Sequence, residues 1–481
     1  MTRPEGVFDF LIVGSGAGGS AAAYRLARAG RSVLLLEKGD FLPADGSTLD
    51  PQRVLRAGAF KNKEIWCDRK GRQLIPEEFF NVGGKTKWYG AALLRFAPAE
   101  FEGDATRGHL PWPFNYRELE PYYEEAERLL EVRCFEIEPG LQRIAAKLGN
   151  GAGWFVEPLP LGLVHDIYVH RLAASRFDGF ALPGGLKADA EHRLLGKLAG
   201  LPNFRLITGA DVARLSADAH DPARVSGVVC RNGRHFRARY VLLAAGALHS
   251  PRLLEQYFQR RRLTALPASL HVGRYYKRHL LTAVLAFSPW PQRDLLRKTA
   301  IFTHRRYPHS SVQPLGGRID REILALQLPR FLPRWLKHFF TSRVYGFFLQ
   351  TEDGSNAENR VHAANGKDAP TLDYDSARLP AARREHGALV RGFMWSLLGA
   401  GLLPFAKRIP LEGSAHSVGT LVAGTEPRNS VVNSVGLVHG MDNLFVVDGS
   451  VLPRSGRLNP ALTIYAWSLR VADRLLGAQA S

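Results

Sequence analysis

The chain has 481 residues, of which 45% are hydrophobic and 23% are charged. This composition excludes a disordered or fibrous protein and predicts more than one packed domain. The 64 Lys and Arg residues exceed the 45 Asp and Glu residues and leave a formal net charge of +19. Such a charge is compatible with nucleic acid, an anionic membrane, an acidic protein, an anionic substrate or a merely solvated basic surface, and composition does not separate these.

Three cysteines, Cys67, Cys134 and Cys230, are widely spaced in the sequence. No pair has the spacing of a redox or metal motif, so we expect reduced thiols and a cytoplasmic location. The apolar run near the N-terminus passes directly into a glycine motif, which predicts a strand rather than a signal peptide. No apolar run approaches the length that crosses a membrane as a helix.

The first forty residues predict a strand, a turn, a helix and a second strand. The strands correspond to residues 8–13 and 32–36, the helix to residues 21–29, and the turn to the pattern G-x-G-x-x-G at Gly14, Gly16 and Gly19. Gly14 permits the tight turn, Gly16 allows a pyrophosphate to approach the backbone, and Gly19 allows the helix to pack closely on the strand.

Glu37 closes the second strand, 18 residues after Gly19. Its carboxylate can accept hydrogen bonds from ribose hydroxyl groups, while the helix N-terminus offers unpaired N–H groups to phosphates. Together these features predict a dinucleotide site. An acid at this position disfavours a 2′-phosphate and therefore NADP, which leaves FAD or NAD.

Three later segments contain further glycine motifs. They are residues 81–98, residues 240–254, and a C-terminal region with H-x-x-G-T at 416–420, an apolar run at 443–448 and N-P at 459–460. Gly83 and Gly84 predict a loop that can pass close to a flat ring or a phosphate, although a plain turn has the same pattern. Residues 240–246 and 443–448 predict two more buried strands that end near glycine. Asp448 can contact ribityl or phosphate oxygens, or cap the following turn.

In type and order, these motifs resemble the glucose–methanol–choline (GMC) family of FAD-dependent oxidoreductases. The segment GGKTKWYGAALLRFAP is most similar to bacterial sugar and polyol dehydrogenases of the gluconate-dehydrogenase kind, which pass electrons to a carrier rather than to oxygen. The resemblance implies an α/β fold, with a Rossmann-like FAD-binding domain on a parallel sheet and an inserted α+β substrate domain with an antiparallel sheet. We expect residues 1–150, 200–258 and 412–481 to form the FAD domain, and residues 151–199 and 259–411 to form the substrate domain.

The resemblance also implies which residues bind FAD. They are Gly14, Gly16, Gly19, Glu37, Gly83, Gly84, Thr86, Gly246, Asp448, Gly449, Pro460 and Thr463. Some relatives attach the flavin covalently through a histidine after the double glycine. Here Lys87 stands in that segment and no histidine precedes His109, so we predict non-covalent FAD. No histidine cluster has metal-ligand spacing, and no metal is predicted.

Oxidation of an alcohol by a flavin requires hydride transfer from carbon to the flavin N5 and a base for the hydroxyl proton, and histidine titrates in a suitable range. The family places a histidine in H-x-x-G-T and a second histidine or an asparagine in the N-P segment, here His416 and Asn459. The resemblance implies that His416 is the base and that Asn459 orients the hydroxyl of an alcohol, sugar or polyol. The alternatives are an oxygen-using alcohol oxidase and a non-catalytic, membrane-associated flavin-binding or electron-transfer subunit.

Most of the charge excess falls within residues 260–350, which contain 17 Lys or Arg residues and three acidic residues. After Pro333, a helix would place Trp335, Phe339 and Phe340 on one face beside basic side chains, which is the pattern of a helix that lies on an anionic membrane. A core-facing helix with a solvated basic rim has the same pattern. We therefore expect the segment to contact an acidic electron acceptor, an anionic membrane or only water. No nucleic-acid-binding motif is present.

Overall fold

The computed structural model describes residues 6–329, 331–363 and 369–478, apart from the side chains of residues 150–152. Strands in these ranges are β1 (Phe8–Val13), β2 (Val33–Leu36), β3 (Trp66–Asp68), β4 (Gln73–Leu74), β5 (Trp154–Pro158), β6 (Phe204–Ile207), β7 (Val212–Ala217), β8 (Val225–Cys230), β9 (His235–Leu243), β10 (His279–Phe287), β11 (Ala300–His304), β12 (Ser310–Pro314), β13 (Val344–Glu352), β14 (Arg360–His362), β15 (Thr371–Asp373), β16 (Leu403–Arg408) and β17 (Leu444–Val446).

The α-helices of the same ranges lie mostly between strands. They are α1 (Ala17–Arg28), α2 (Tyr116–Leu129), α3 (Pro139–Ala152), α4 (Arg171–Arg176), α5 (Ala190–Arg193), α6 (Gly246–Arg261), α7 (Ile319–Gln327), α8 (Arg334–Thr341), α9 (Pro380–Gly399) and α10 (Ala461–Gly477). None of them combines the length and the apolar character that would carry a helix across a bilayer. Cys67, Cys134 and Cys230 are unpaired.

The first sheet contains the predicted dinucleotide-binding unit. Its strand order is β6-β2-β1-β9-β8-β7, and β17 pairs with the second half of β9. The pairs among β6, β2, β1, β9 and β17 are parallel, whereas β7 and β8 form an antiparallel extension. The carboxyl ends of the parallel strands meet at one edge, which is where open α/β sheets bind their ligands.

The local predictions in this sheet agree closely with the structure. The strand expected at residues 8–13 is β1, and the strand expected at 32–36 is β2 at Val33–Leu36. The helix expected at residues 21–29 begins earlier, at Ala17, because the glycine turn continues directly into the helix with Gly16 as its N-cap. The strands expected near residues 240 and 443 are the end of β9 and β17.

The second sheet is antiparallel and has the order β16-β10-β13-β12-β11-β5. All six strands lie within residues 154–408, in the two segments expected to form the substrate domain. A small third sheet, β14-β15-β3-β4, takes strands from both expected domains. The α/β fold class with a second, antiparallel sheet is confirmed; the domain boundaries stay a prediction.

Strand alternation gives the second sheet two different faces. Tyr345, Phe347 and Leu349 of β13 pack against α9 in one apolar cluster. Phe348 and Gln350 therefore point the other way, toward the first sheet, and both line the large cavity between the sheets. The second sheet thus supplies one wall of that cavity.

The basic segment, residues 260–350, is not one surface. Lys277, Arg278, Arg297 and Lys298 are buried, so these four side chains do not contribute to a basic surface. Arg297 forms an ion pair with the equally buried Asp320 of α7. A buried charge is retained only when it is paired, since an unpaired one costs several kcal/mol of desolvation. Much of the charge therefore has an internal role.

The helix expected after Pro333 is α8, Arg334–Thr341, and none of its residues is buried. The alternative of a helix with a face packed in the core is therefore wrong. α8 leaves its aromatic side chains at the protein surface.

Candidate active site

A cavity of about 560 Å³ lies at the carboxyl edge of the first sheet, against the second sheet. Its wall contains most of the residues predicted from the sequence, namely Gly14, Gly16, Glu37, Gly84, Thr86, Gly246, His416, Asp448, Gly449, Asn459 and Pro460. These positions come from the beginning, the middle and the end of the chain. The fold collects them at one site.

Two glycines of the N-terminal turn allow backbone contacts that no other residue would permit. A Cβ on Gly14, which has φ of +105°, would lie 2.4 Å from the carbonyl oxygen of Ala244. A Cβ on Gly18 would lie 1.9 Å from the carbonyl oxygen of Val447. The ends of β1, β9 and β17 meet here because these side chains are absent.

Gly16, by contrast, has open space where its side chain would be. Nothing lies within 4 Å of the position that its Cβ would occupy, and the residue lines the cavity. No side chain caps the N-terminus of α1, so the first N–H groups of the helix remain available to a phosphate. This cradle fits the pyrophosphate of a dinucleotide such as FAD.

Glu37 is buried at the end of β2 and lines the cavity. Its Oε2 accepts hydrogen bonds from the backbone N–H (3.0 Å) and the hydroxyl (2.6 Å) of Ser15, and its Oε1 accepts one from Gly39 N–H (2.9 Å). Burial raises the pKa of Glu37 in spite of these hydrogen bonds. The carboxylate thus joins β2 to the glycine turn at the place where the sequence predicts a ribose.

Asp448 caps the turn after β17, the alternative that the sequence left open, and also lines the cavity. Its Oδ1 accepts from Ser450 N–H (2.9 Å), and its Oδ2 accepts from Gly246 N–H (2.8 Å). Burial raises the pKa of this carboxyl. Asp448 therefore links the ends of β9 and β17.

Three predicted residues lie behind the cavity wall rather than in it. A Cβ on Gly19 would lie 1.8 Å from the carbonyl oxygen of Gly14, which is the helix–strand contact expected for it. Gly83 N–H donates to the Ser15 hydroxyl at 3.0 Å. Thr463 is fully buried with its hydroxyl 2.7 Å from the hydroxyl of Tyr123. These three residues therefore support the cavity wall from behind.

His416 makes an unexpected contact with a second histidine. Its Nδ1 lies 2.8 Å from Nδ1 of His279, and the two rings are nearly perpendicular at 83°. His279 is fully buried at the start of β10. Its Nε2 lies 2.7 Å from the carbonyl oxygen of Gly456. The sequence offered no signal for His279, because it lies in the region without a recognisable motif.

These two hydrogen bonds determine where the protons are. A carbonyl oxygen only accepts, so Nε2 of His279 carries the proton that is donated to Gly456. Burial lowers the pKa of His279 to about 4, so the ring is neutral and its Nδ1 is an acceptor. The proton between the rings therefore belongs to Nδ1 of His416, and Nε2 of a neutral His416 carries a lone pair.

Asn459 approaches that lone pair. Its Nδ2 lies 3.5 Å from Nε2 of His416, while its Oδ1 accepts a hydrogen bond of 2.7 Å from Nε2 of Gln313. Gln313 lies on β12 of the second sheet and, like His279, has no sequence motif. Because Gln313 donates to Oδ1, the amide of Asn459 is oriented with its N–H groups toward His416.

The surroundings keep His416 unprotonated. Burial in the cavity wall, followed by the neighbouring His279, Lys85 and Lys298, lowers the pKa of His416 well below its usual value of 6.5. A histidine with a free lone pair at neutral pH can accept a proton from a substrate hydroxyl.

An ion pair forms another polar part of the cavity wall. Lys298 Nζ donates to Asp178 Oδ2 at 3.0 Å, and Gly316 N–H donates to the same oxygen at 2.8 Å. Burial disfavours the charge on Asp178, but these two donors outweigh it and lower the pKa. Sequence reasoning missed both residues of the pair.

Two groups of His, Asp and Glu side chains have metal-like spacing within the described ranges: His109 with His309 and Glu352, and Asp189 with Glu191 and His192. In each group a cation already contacts the carboxylates. Arg454 donates to both oxygens of Glu352 at 2.9 and 2.7 Å. Lys87 Nζ lies 3.2 Å from Asp189 and 2.8 Å from Glu191. We assign a metal to neither group.

Comparisons with known proteins agree with this site. Residues 9–163 match the family model "FAD dependent oxidoreductase", and residues 397–468 match "GMC oxidoreductase". The chain is 30% identical to 6'''-hydroxyparomomycin C oxidase of Streptomyces lividus, over 97% of this chain and 91% of that protein. It is 25% identical to 2-methyl-1,2-propanediol dehydrogenase of Mycolicibacterium austroafricanum, over 98% and 96% of the two chains.

Among solved structures, pyridoxine 4-oxidase from Mesorbium loti has the same fold, with a TM-score of 0.73 and 19% identity over 98% of this chain and 99% of that one. The glycine cradle, the paired sheets and the full-length similarity lead to one conclusion. The chain belongs to the GMC family and is an FAD-dependent oxidoreductase that acts on CH–OH groups.

Proposed function

We propose that the protein oxidises a CH–OH group of an alcohol, sugar or polyol, with His416 as the general base. The observation that supports this most strongly is the convergence of two groups in the cavity: the lone pair on His416 Nε2 and the Asn459 Nδ2 amide, 3.5 Å apart. The first can accept the hydroxyl proton of a substrate and the second can donate a hydrogen bond to its oxygen.

Bound FAD supplies the acceptor for the hydride that leaves the substrate carbon. The glycine turn with the N-terminus of α1 would hold its pyrophosphate, and Glu37 a ribose. Asp448, Gly449 and Pro460 would contact other parts of the cofactor from the C-terminal side of the cavity wall. In this proposal, residues 1–150, 200–258 and 412–481 form the FAD domain, and residues 151–199 and 259–411 form the substrate domain.

His279 acts on the base rather than on the substrate, and is a positioning residue. As acceptor for the His416 Nδ1–H, it holds the ring in the tautomer whose Nε2 faces the cavity. After His416 takes a proton at Nε2, its Nδ1–H still donates to His279, so the ring keeps its orientation. Gln313 is a positioning residue for Asn459, because its Nε2 donates to Asn459 Oδ1 and thereby orients the amide.

The polar groups of the cavity wall favour a substrate with more than one hydroxyl. Gln350 and the pair of Lys298 with Asp178 line the wall beyond His416, and each offers hydrogen bonds to a further hydroxyl. The names of the relatives point the same way, since they include a hydroxyparomomycin oxidase and a propanediol dehydrogenase. A sugar or polyol is therefore the substrate class that we propose.

We further propose a carrier as the electron acceptor and a cytoplasmic location with peripheral contacts. The exposed part of segment 260–350 would meet an acidic carrier or an anionic membrane. Oxygen is the second candidate acceptor, favoured by the name of the Streptomyces lividus relative, which is an oxidase.

His416→Ala should retain the yellow flavin but reduce the rate of anaerobic flavin reduction by about 10²- to 10⁴-fold, the usual contribution of a general base. Stopped-flow bleaching with a panel of sugars, polyols, sterols and aliphatic alcohols measures this and identifies the substrate. The exposed His220 provides a control, since the flavin of His220→Ala should be reduced at the wild-type rate. Near-normal bleaching of His416→Ala by the true substrate would contradict the assignment.

His279→Leu should slow flavin reduction by about 10- to 100-fold, a part of the general-base contribution, because His416 loses the acceptor that selects its tautomer. His279→Asn should recover much of the rate, since the amide oxygen can accept the same proton. In the wild type the rate should stay constant as the pH falls through 6.5, because the pKa of His416 lies well below that value.

In His279→Leu, the loss of the neighbouring ring removes one cause of that low pKa, so the rate should begin to fall at a higher pH. A purely structural role for His279 would lower the flavin content or the thermal stability without moving the pH profile. Equal rates and equal pH profiles in the wild type and His279→Leu would exclude the positioning role.

Turnover in air should produce little hydrogen peroxide, while a quinone or dye acceptor should support many turnovers. An Amplex-type peroxide assay beside dichlorophenolindophenol reduction compares the two acceptors. Stoichiometric formation of peroxide, at a rate equal to that of dye reduction, would show that oxygen rather than a carrier is the electron acceptor.

Acid precipitation should release all of the flavin into the supernatant, because Lys87 stands in the segment where some relatives carry the attachment histidine and is held by Asp189 and Glu191. Absorbance of the supernatant and the pellet at the flavin band measures the partition. Yellow colour that stays with the washed pellet would indicate a covalent bond.

A further inference from the structure

Large apolar side chains are exposed together around α8. They come from the loop after β10, from the segment that leads into α8, from α8 itself and from the edge strand β16. These side chains are Trp290, Phe331, Trp335, Phe339, Phe340, Leu403 and Phe405, here called the apolar surface. Trp335 is 70% exposed and Phe331 86%, which is far more than a stable packed contact would leave.

Direct contacts join these side chains. Phe287, the last residue of β10, lies 6.5 Å from Phe340 and 5.7 Å from Phe405 between ring centroids, edge-on in both cases. Phe339 and Phe340 are 5.6 Å apart. The loop that carries Trp290 is hydrogen-bonded to the chain just after α8, since Ser288 N–H donates to Arg343 O at 2.8 Å. Phe339, Phe340 and Phe405 are therefore connected through Phe287, and Trp335 lies one helical turn before Phe339 on α8.

Two of the segments that carry the apolar surface contain basic but no acidic residues. Residues 328–343 contain three Arg and one Lys but no acidic residue. β16 adds the exposed Lys407, which shares a strand face with Phe405, and likewise has no acidic residue. The guanidinium of Arg343 lies 3.9 Å above the Phe339 ring. Exposed aromatic side chains beside this basic rim complement the interface of an anionic bilayer.

The apolar surface continues toward the active site. Leu281, Ala283, Leu285 and Phe287 alternate along β10 and share one face of the sheet. In the strand register, Leu285 pairs with Phe405, and Phe287 pairs with Leu403. At the other end, Leu281 lines the cavity that contains His416. Ala283, Leu285 and Phe287 are only half-buried, so an apolar strip leads from the surface to the cavity wall.

We propose that the apolar surface docks on an anionic membrane, with the aromatic side chains inserted at the headgroup level and the basic rim on the lipid phosphates. This goes beyond the proposed oxidation of a CH–OH group. A protein interface of standard size uses about 20–30 residues on each side and needs matched shape. The apolar surface has only seven exposed side chains, from four elements, an arrangement suited to a soft bilayer.

The test is flotation of the purified holoenzyme with phosphatidylcholine vesicles that either contain or lack phosphatidylglycerol. The enzyme should float with the anionic vesicles only, and rising salt should release it, since the attraction to the lipid is screened. Trp335→Ala combined with Phe339→Ala should reduce the vesicle-bound fraction at least tenfold. Arg334→Glu should weaken binding to anionic vesicles as well.

α9 offers a matched control. Trp395 is 72% exposed and Leu398 is 42% exposed, on the helix that covers the opposite face of the second sheet. The double variant Trp395→Ala with Leu398→Ala removes similar side chains outside the apolar surface and should float like the wild type. Equal loss of flotation in both double variants, or no flotation of the wild type, would overturn the proposal.

Size-exclusion chromatography of the same proteins tests whether a second copy of the chain, rather than a membrane, covers the apolar surface. A wild-type dimer that Trp335→Ala with Phe339→Ala converts to a monomer, without vesicle binding, would assign the surface to a second copy of the chain and overturn the membrane role. Flotation does not depend on turnover, so His416→Ala should float normally. A wild-type enzyme that floats but oxidises no alcohol of the panel contradicts only the proposed function, and a wild-type enzyme that oxidises a substrate but does not float contradicts only the docking.

Discussion

The closure of three strand ends around two glycines is the constraint on which the site depends. Gly14 lies against the backbone of Ala244, and Gly18 lies against the backbone of Val447, at distances that leave no room for a Cβ. These contacts bring together segments that are more than 200 residues apart in the chain. The cradle for the cofactor exists only because β1, β9 and β17 end at this point, and any larger side chain would force them apart.

The chain leaves the first sheet after α6 and returns before β17, and the intervening residues build five of the six strands of the second sheet, while β5 comes from the segment before β6. That sheet provides the chemical partners of the C-terminal motif. β10 brings His279 to His416, and β12 brings Gln313 to Asn459. Each partner orients a group that faces the cavity. The proposed base, His416, and the proposed hydrogen-bond donor, Asn459, are thus each held by a partner on the second sheet.

The basic segment divides into parts with different roles. Arg297 and Lys298 are buried next to Asp320 and Asp178, where each charge is matched by a carboxylate. Around α8, by contrast, basic side chains surround exposed aromatic rings. Net charge along a sequence is therefore a poor guide to surface potential, because pairing in the interior removes charges that a residue count includes.

The local sequence determined the features that depend on neighbouring residues. The apolar run of β1, the glycine turn, the acid at Glu37 and the helix after Pro333 each follow from short-range sterics and periodicity, and the structure confirms their positions. The sequence motifs also indicated that His416 and Asn459 belong to one site. Only the tertiary structure decided which face of α8 is exposed, that Thr463 lies behind the wall, and that His279 contacts His416 while Gln313 contacts Asn459. Those outcomes depend on contacts between residues far apart in the chain, and no local pattern encodes which of 16 histidines will meet another across two sheets.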